Sequence, residues 1–252
     1  MDVKEITETI SGVRHPWELA RMNLVKKLLY PSLSGIDAPR LLDIGCGDGF
    51  LISELVSDFD CCEAFAVDME LSDQTINKLS IQNNGIVFVR EVNDCDKEWA
   101  DALLLLDVIE HQKDDLMFLR HLTEHYVKRS GVVLITVPAY NQLFSRHDEF
   151  LGHYRRYDRF ELLSLVEASG LVALNSGYAF SSLLAPRLFT KTVERLFQSR
   201  TRPNHLGEWQ HGKGITKFIS GLLQIDNWVL TTLSNTDLHL PGLTTWAICK
   251  IR

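Results

Sequence analysis

The chain has 252 residues, 45% of them apolar and 23% charged, an ordinary composition for a globular protein with one large domain. Its formal net charge of −7 argues against an extended nucleic-acid interface, because such an interface needs a basic surface. The cysteines include no CxxC pair, the N-terminus is polar, and the apolar runs are too short to span a bilayer. We therefore expect a cytoplasmic protein with neither a disulfide framework nor a zinc site.

The first half of the chain alternates between helical and strand patterns. Apolar spacing predicts a helix over residues 16–30, and residues 31–39 are predicted to form a loop. The strands that follow are continuous apolar runs, typical of parallel strands covered on both faces. Because helices separate them, we predict βαβ units and a doubly wound α/β sheet. The predicted strands are RLLDIG, EAFAVDM, IVFVREV, ADALLLLDVIE and GVVLITVPA.

The pattern changes after the fifth strand. Residues 138–157 form a long connection rich in aromatic and charged side chains. A helix is predicted next, with Asp158 and Glu161 at capping-box spacing and Gly170 as its stop, and a sixth strand follows it. The last strand is TTWAICKI. We predict a single domain made of a helical cap (1–35), a core (36–180), a helical insertion (181–240) and the final strand (241–252).

The stretch LLDIGCGDGF, residues 41–50, places three glycines directly behind an apolar run. Glycines let the backbone turn sharply and approach a ligand, and the start of the next helix offers free N–H groups. The spacing is G-x-G-x-G with Asp43 ahead of it, which differs from the G-x-G-x-x-G of nicotinamide dehydrogenases. The turn therefore favours a site for a nucleotide-like cofactor, and its spacing argues against a nicotinamide dehydrogenase. The alternative is a tight turn that binds no ligand.

Asp68 ends the second predicted strand, in the sequence AVDME. A carboxylate at that edge of the sheet can accept hydrogen bonds from both hydroxyls of a ribose. Taken alone, Asp68 would equally suit a helix N-cap. Together with the glycine turn it favours the ligand interpretation.

These motifs, with NDCD after the third strand and LLLLDVIEH at the fourth, resemble those of class I S-adenosylmethionine-dependent methyltransferases. HPWELAR at 15–21 and residues 137–157 resemble a bacterial branch of that class that acts on small molecules. The resemblance implies a seven-stranded sheet of order 3-2-1-4-5-7-6 with the last strand antiparallel. The chain has no D-P-P-Y or N-P-P-Y motif, so methylation of an exocyclic base nitrogen is not expected.

The resemblance also implies cofactor-binding roles at matching positions. Asp68 would hold the ribose hydroxyls, and Met69 would lie against the adenine. Asp94 and the Cys95 N–H would meet the adenine edge, although Asp96 could replace Asp94. The remaining positions would line the methionine and ribose parts of the cofactor: Asp43, Gly45, Cys46, Gly47, Gly49 and Asp107.

Arg21, in the first helix, could pair with the cofactor carboxylate or lie as a solvent-facing cation. Candidate general bases lie in the connection after the fifth strand, because ligands bind at that edge of an open α/β sheet. His147 beside Asp148 is the first choice and His153 the second. The alternative is that these three form a structural network, and their spacing suits no metal site, so we expect no metal.

The sequence thus predicts methyl transfer from S-adenosylmethionine to O or N of a small-molecule acceptor, with a sugar- or lipid-linked precursor as one option. Two alternatives stay open: a non-catalytic cofactor-binding protein, and a protein methyltransferase. The segment 181–200 alternates Leu and Phe with basic residues, so it predicts either peripheral membrane contact or a helix packed on the sheet. No nucleic-acid partner is expected.

Overall fold

The computed structural model describes residues 13–60, 63–92, 97–197, 209, 211–236 and 238–252. Its sheet consists of β1 (Arg40–Ile44), β2 (Glu63–Val67), β3 (Ile86–Val89), β4 (Ala100–Leu106), β5 (Val127–Pro138), β6 (Leu171–Ala179) and β7 (Thr244–Ile251). The described helices are α1 (Pro16–Leu33), α2 (Phe50–Asp58), α3 (Asp73–Gln82), α4 (Asp115–Tyr126), α5 (Arg146–Leu151), α6 (Arg159–Ala168), α7 (Leu184–Phe197) and α8 (Lys213–Leu233). Short 3-10 turns cover Ile109–His111, Asn141–Leu143 and Ser181–Leu183.

The strand order is β3-β2-β1-β4-β5-β7-β6, which confirms the predicted topology. β1 pairs in parallel with β2 and β4, while β7 is antiparallel to both β5 and β6. The order reverses between β1 and β4, so the loops after those two strands diverge and leave a crevice at their carboxyl ends. The glycine loop, Asp68 and Asp107 lie at this edge.

Two apolar layers cover the sheet, as the continuous apolar runs predicted. Along β4, Leu104 and Leu106 face one layer, and Leu103 and Leu105 face the other. The first layer is completed by α1, α2, α3 and α8, and the second by α4 and α6. α1 packs directly against α8, so the N-terminal cap and the insertion share one face of the sheet.

Two helix boundaries test the local predictions. The capping box of α6 is confirmed, with Glu161 N–H donating to Asp158 and Asp158 N–H donating back to Glu161. The predicted end of the first helix is wrong, because α1 continues through Pro31 to Leu33. Leu33 is 1% exposed, and its burial in the core draws the last turn onto the sheet.

The described part of the segment 181–200 is a 3-10 turn followed by α7. Arg187 donates to Ser145, and Lys191 donates to the carbonyls of Gln142 and Phe144, so both cations hold α7 to the connection after β5. Phe189 is exposed. Within the described ranges, no helix combines the length and apolarity needed to cross a bilayer.

Candidate active site

The glycine loop joins β1 to α2 in a conformation that favours glycine. Gly45, Gly47 and Gly49 have φ angles of 76°, 57° and 73°, in the left-handed region. A Cβ on Gly45 would lie 2.7 Å from Val108 Cγ2, and one on Gly49 would lie 2.6 Å from the Phe88 ring. Side chains at these two positions are excluded by Val108, which follows β4, and by Phe88 of β3, as well as by backbone strain.

Asp68 follows β2 directly and holds the glycine loop. Its Oδ2 accepts from Gly47 N–H at 3.0 Å, and its Oδ1 accepts from Glu70 N–H at 2.9 Å. Each carboxylate oxygen has a second lone pair, so two further donors can be accommodated. Met69, beside it, is 82% exposed. Asp94 and Cys95, which were predicted to meet the adenine, lie outside the described residues.

Asp43 is the buried acid at the end of β1. Its side chain is 2% exposed, and its Oδ1 has no hydrogen-bond partner among the described residues. Burial raises the pKa of Asp43 to about 7, partly offset by the positive charge of Arg21. A buried carboxylate oxygen without a donor is rare in a folded protein and indicates a missing partner. Cys46 is also buried, and burial raises the pKa of its thiol, so it lines the loop as an apolar group.

Arg21 reaches across from α1 to the end of β4. Its Nη2 lies 2.7 Å from Asp107 Oδ2, and the guanidinium stacks 5.1 Å from the Trp17 ring centroid. Arg21 is 6% exposed, so it is not a solvent-facing cation. Asp107 itself has a φ of 58° and accepts from Thr136 Oγ1 at 3.3 Å. The loop after β4 is thus held in a strained conformation with its carboxylate paired.

Asp148, in the connection after β5, is fully buried and accepts hydrogen bonds from several neighbouring side chains. It accepts two hydrogen bonds from Arg156, at 2.7 and 3.1 Å, and one from His153 Nδ1 at 2.9 Å. Ser145 adds two more, from its N–H and its hydroxyl. Burial alone would raise the pKa of Asp148, but the bonds from His153 and Arg156 outweigh it and hold the pKa well below its usual range.

The three predicted catalytic residues are therefore placed differently from one another. Asp148 is permanently ionised and saturated with donors, which suits positioning rather than proton transfer. Its imidazole partner is His153, five residues along the chain. His147 is half-buried on α5. The catalytic assignments of these residues stay predictions.

Glu110 is a candidate site residue that sequence reasoning missed. It is 0% exposed, and neither of its carboxylate oxygens has a partner among the described residues. Burial, followed by the nearby charge of Asp107, raises its pKa well above the usual value. Its only sequence signal was its place just after β4, three residues beyond Asp107.

The fold and this edge of the sheet define a class I S-adenosylmethionine-dependent methyltransferase. The chain belongs to the methyltransferase-domain family, whose model matches residues 17–176. It is 26% identical over 121 residues to (S)-tetrahydroprotoberberine N-methyltransferase of Eschscholzia californica, covering 45% of this chain and 34% of that protein. It is also 26% identical over 128 residues to ubiquinone biosynthesis O-methyltransferase of Rickettsia typhi, covering 50% of this chain and 51% of that protein.

Solved structures share the fold at low sequence identity. Geranyl diphosphate C-methyltransferase of Streptomyces coelicolor superposes with a TM-score of 0.59 at 12% identity, over 93% of this chain and 79% of that one. A methyltransferase of Archaeoglobus fulgidus superposes with a TM-score of 0.53 at 17% identity, over 91% of this chain and 94% of that one. A [4+2]-cyclase superposes with a TM-score of 0.56 at 13% identity, over 98% of this chain and 84% of that one.

Proposed function

We propose that this enzyme transfers a methyl group from S-adenosylmethionine to an oxygen or nitrogen of a small-molecule acceptor. The observation that carries the proposal is Asp43 Oδ1, a buried carboxylate oxygen at the carboxyl edge of the sheet that has no hydrogen-bond partner among the described residues. It lies beside the glycine loop that Asp68 anchors. A cofactor with a cationic amine and a ribose would supply donors for Asp43 and Asp68.

The chain's residues would position that cofactor and leave the chemistry to its sulfonium. Asp43 would accept from the cationic amine, Asp68 from the ribose hydroxyls, and Met69 would be covered by the adenine. The bound cofactor would supply an activated methyl group, and its sulfur would become a neutral thioether as the acceptor's lone pair takes the methyl carbon. The residues around it would orient that lone pair, and a hydroxyl acceptor would lose its proton to a base.

The acceptor would lie under the connection after β5, which leaves the same edge of the sheet. Tyr140 in that connection stacks on Tyr178 at 5.2 Å between ring centroids, and both side chains are half-buried. Aromatic walls of this kind favour a small organic acceptor. A sugar- or lipid-linked precursor fits the same description.

Cofactor binding is the first test. We expect S-adenosylmethionine and S-adenosylhomocysteine to bind in calorimetric titration with micromolar affinity, and NAD not to bind. Asp68→Ala should weaken both by about 10- to 100-fold, because it removes the ribose acceptor and frees Gly47. Asp73→Ala is the matched control, since Asp73 is an exposed acid on α3. Equal affinity in the two variants, or no binding in wild type, would contradict the proposal.

Turnover separates the enzyme from a cofactor-binding scaffold. A solved [4+2]-cyclase shares this fold, so the fold alone does not fix the reaction. Transfer of a labelled methyl group to small hydroxyl and amine acceptors is expected. Tight cofactor binding with no transfer to any acceptor would favour the scaffold alternative, and transfer to polypeptides alone would favour a protein methyltransferase.

We also propose that α8 contributes to peripheral membrane contact near the segment 181–200. An apolar stripe runs along its outer face, flanked by Lys213 and Lys217. Its members are exposed by 39–68%: Ile215, Phe218, Leu222, Ile225 and Val229. Apolar groups beside lysines are typical of helices that lie on anionic bilayers.

Vesicle sedimentation tests this surface. Wild type should co-sediment with vesicles containing anionic phospholipid and less with purely zwitterionic ones. The double substitution Phe218→Ser/Ile225→Ser should reduce binding several-fold, since it removes two exposed apolar side chains. The lysines predict a dependence on salt. Binding to anionic vesicles should weaken at roughly 0.5 M salt, because salt at that concentration screens the attraction between the lysines and the lipid head groups. Salt-independent or zwitterionic-only binding would overturn the proposal.

A further inference from the structure

The methyl-transfer proposal leaves one cluster of side chains unused. Glu110 and His111 come from the turn after β4, and His153 comes from the connection after β5. One potential ligand atom from each lies within 4.8 Å of the others. We propose that these three residues bind a divalent transition-metal ion next to the methyl-transfer centre.

Glu110 is the strongest indication of a missing ligand. Its side chain is 0% exposed, and both carboxylate oxygens lack hydrogen-bond partners among the described residues. Burying a carboxyl group away from donors and cations strongly disfavours its ionised form, so buried carboxylates are normally paired. A bound cation would satisfy both oxygens at once.

His153 is oriented as a metal ligand would be. Its Nδ1 lies 2.9 Å from Asp148 Oδ1, and Asp148 is an ionised carboxylate held by Arg156. A carboxylate only accepts, so His153 Nδ1 carries a proton, and the nitrogen that would donate a lone pair to a metal ion is Nε2. A carboxylate that fixes the tautomer of a metal-binding histidine in this way is a recurring feature of metal sites.

The two segments that carry the cluster are tied together. Tyr154 N–H donates to the Glu110 carbonyl at 2.8 Å, directly beside His153. The rings of His111 and His153 meet edge to face with centroids 4.5 Å apart. The ligands are therefore held in place by backbone contacts before any ion binds, which lowers the entropic cost of binding.

The surrounding charges favour a cation. The ionisable groups whose charges act on Glu110 are Asp107, Arg21 and Arg156, and Asp148 neutralises Arg156. Arg21 is likewise paired with Asp107. With both guanidinium groups paired, neither is left to neutralise Glu110, so a bound metal ion would be the cation that favours its ionised form.

The donor set indicates the kind of ion. Two imidazoles and one carboxylate suit first-row transition metals such as Mn²⁺, Fe²⁺, Co²⁺ or Zn²⁺, whereas Mg²⁺ and Ca²⁺ favour oxygen ligands. Three protein ligands leave positions open for an acceptor. If the proposed methyl transfer is right, an acceptor hydroxyl bound there would lose its proton more easily, a role that the saturated Asp148 cannot fill. This catalytic role rests on the proposed function, but ion binding does not.

The sequence led us to expect no metal ion, because the spacing of His147, Asp148 and His153 suits no metal site. The cluster here keeps only His153 from that set, and Asp148 becomes the residue that orients it. The spacing along the chain gave no signal, because Glu110 and His153 are brought together by the path of the connection after β5.

A titration with Co²⁺ and Zn²⁺ tests the site on untagged protein. His121 and His125 on α4 have rings 4.4 Å apart and could bind the same ions, so the host should carry His121→Ala/His125→Ala. In that host we expect one equivalent of Co²⁺ to bind with a visible absorption band, and Zn²⁺ to displace it. Glu110→Gln and His153→Ala should each weaken binding at least about 10-fold. Glu149→Gln, an exposed carboxylate on α5, should leave it unchanged.

Glu110→Gln also guards against a trivial loss of structure. An amide of the same shape cannot ionise inside the protein, so the melting temperature of Glu110→Gln without metal should equal or exceed that of the host. No binding by the host, or equal binding by the host and Glu110→Gln, would overturn the metal site. S-adenosylhomocysteine titrated without metal keeps the two proposals separate: its binding supports the cofactor site whatever the metal result.

Discussion

Replacing Asp148 with alanine should lower the free energy of unfolding by about 3–5 kcal/mol, the range expected when one partner of a buried ion pair is removed. The substitution leaves the Arg156 guanidinium, 8% exposed as a residue, without its carboxylate. It also frees His153 Nδ1 and both donors of Ser145. Urea denaturation followed by circular dichroism would measure the loss.

An exposed ion pair provides the control. Arg90 and Asp73 lie 2.5 Å apart, but their side chains are 46% and 86% exposed. Solvent screens such pairs, so Asp73→Ala should change stability by less than about 1 kcal/mol. A similar small effect for Asp148→Ala would mean that the buried network contributes nothing beyond surface pairing.

The same residue decides between a structural and a catalytic role. If Asp148 positions His153, Asp148→Leu/Arg156→Met should recover much of the stability, because apolar side chains of similar volume replace buried ion pairs well. If Asp148 were the general base, this double variant would be stable but would show no turnover. Measuring stability and labelled methyl transfer in the same variants separates the two outcomes.

Much of the fold was predictable because burial leaves a regular trace in the chain. Parallel strands covered on both faces must be apolar at every position, so β1, β4 and β5 were recognisable as continuous runs. The capping box of α6 was recognisable because it depends on two residues three apart. The end of α1 was mispredicted because the burial of Leu33 is a tertiary effect that overrides Pro31.

The candidate site was predictable only where its parts are local. The glycine loop and Asp68 follow strands whose ends meet at one edge, so their proximity could be inferred. The pairing of Arg21 with Asp107 joins α1 to the end of β4, and no spacing rule predicts it. The bond between Asp148 and His153, and the burial of Glu110, likewise depend on the path of an irregular connection.

Asp43 should make cofactor affinity depend on pH. Burial raises its pKa to about 7, so at pH 6 the carboxyl is mostly protonated in the free enzyme. A cationic amine at its unpartnered oxygen favours the ionised form, so binding must release a proton below pH 7. Affinity for S-adenosylhomocysteine should therefore fall up to about tenfold per pH unit on acidification below 7.

The substitution Asp43→Asn removes the negative charge, and the amide does not take up or release a proton in this pH range. Asp43→Asn should bind the ligand about 10- to 100-fold more weakly at pH 8 and show little further change down to pH 6. Calorimetry in two buffers of different ionisation enthalpy would count the protons released. Asp73→Asn should keep the wild-type profile. A flat wild-type profile, or an unchanged one in Asp43→Asn, would assign the pH dependence to another group.

Stability should respond in the opposite direction from affinity. A carboxyl whose folded pKa is raised stabilises the fold below its unfolded pKa, and that contribution is lost as pH rises through about 7. At pH 8 the buried charge opposes folding, so Asp43→Asn should be the more stable protein without ligand, and the difference should vanish at pH 4. A saturating cofactor should reverse the order, because only wild type then gains a partner for the charge. The ionised Asp43 carboxylate thus lowers the stability of the protein without ligand, and only a bound cofactor offsets that loss.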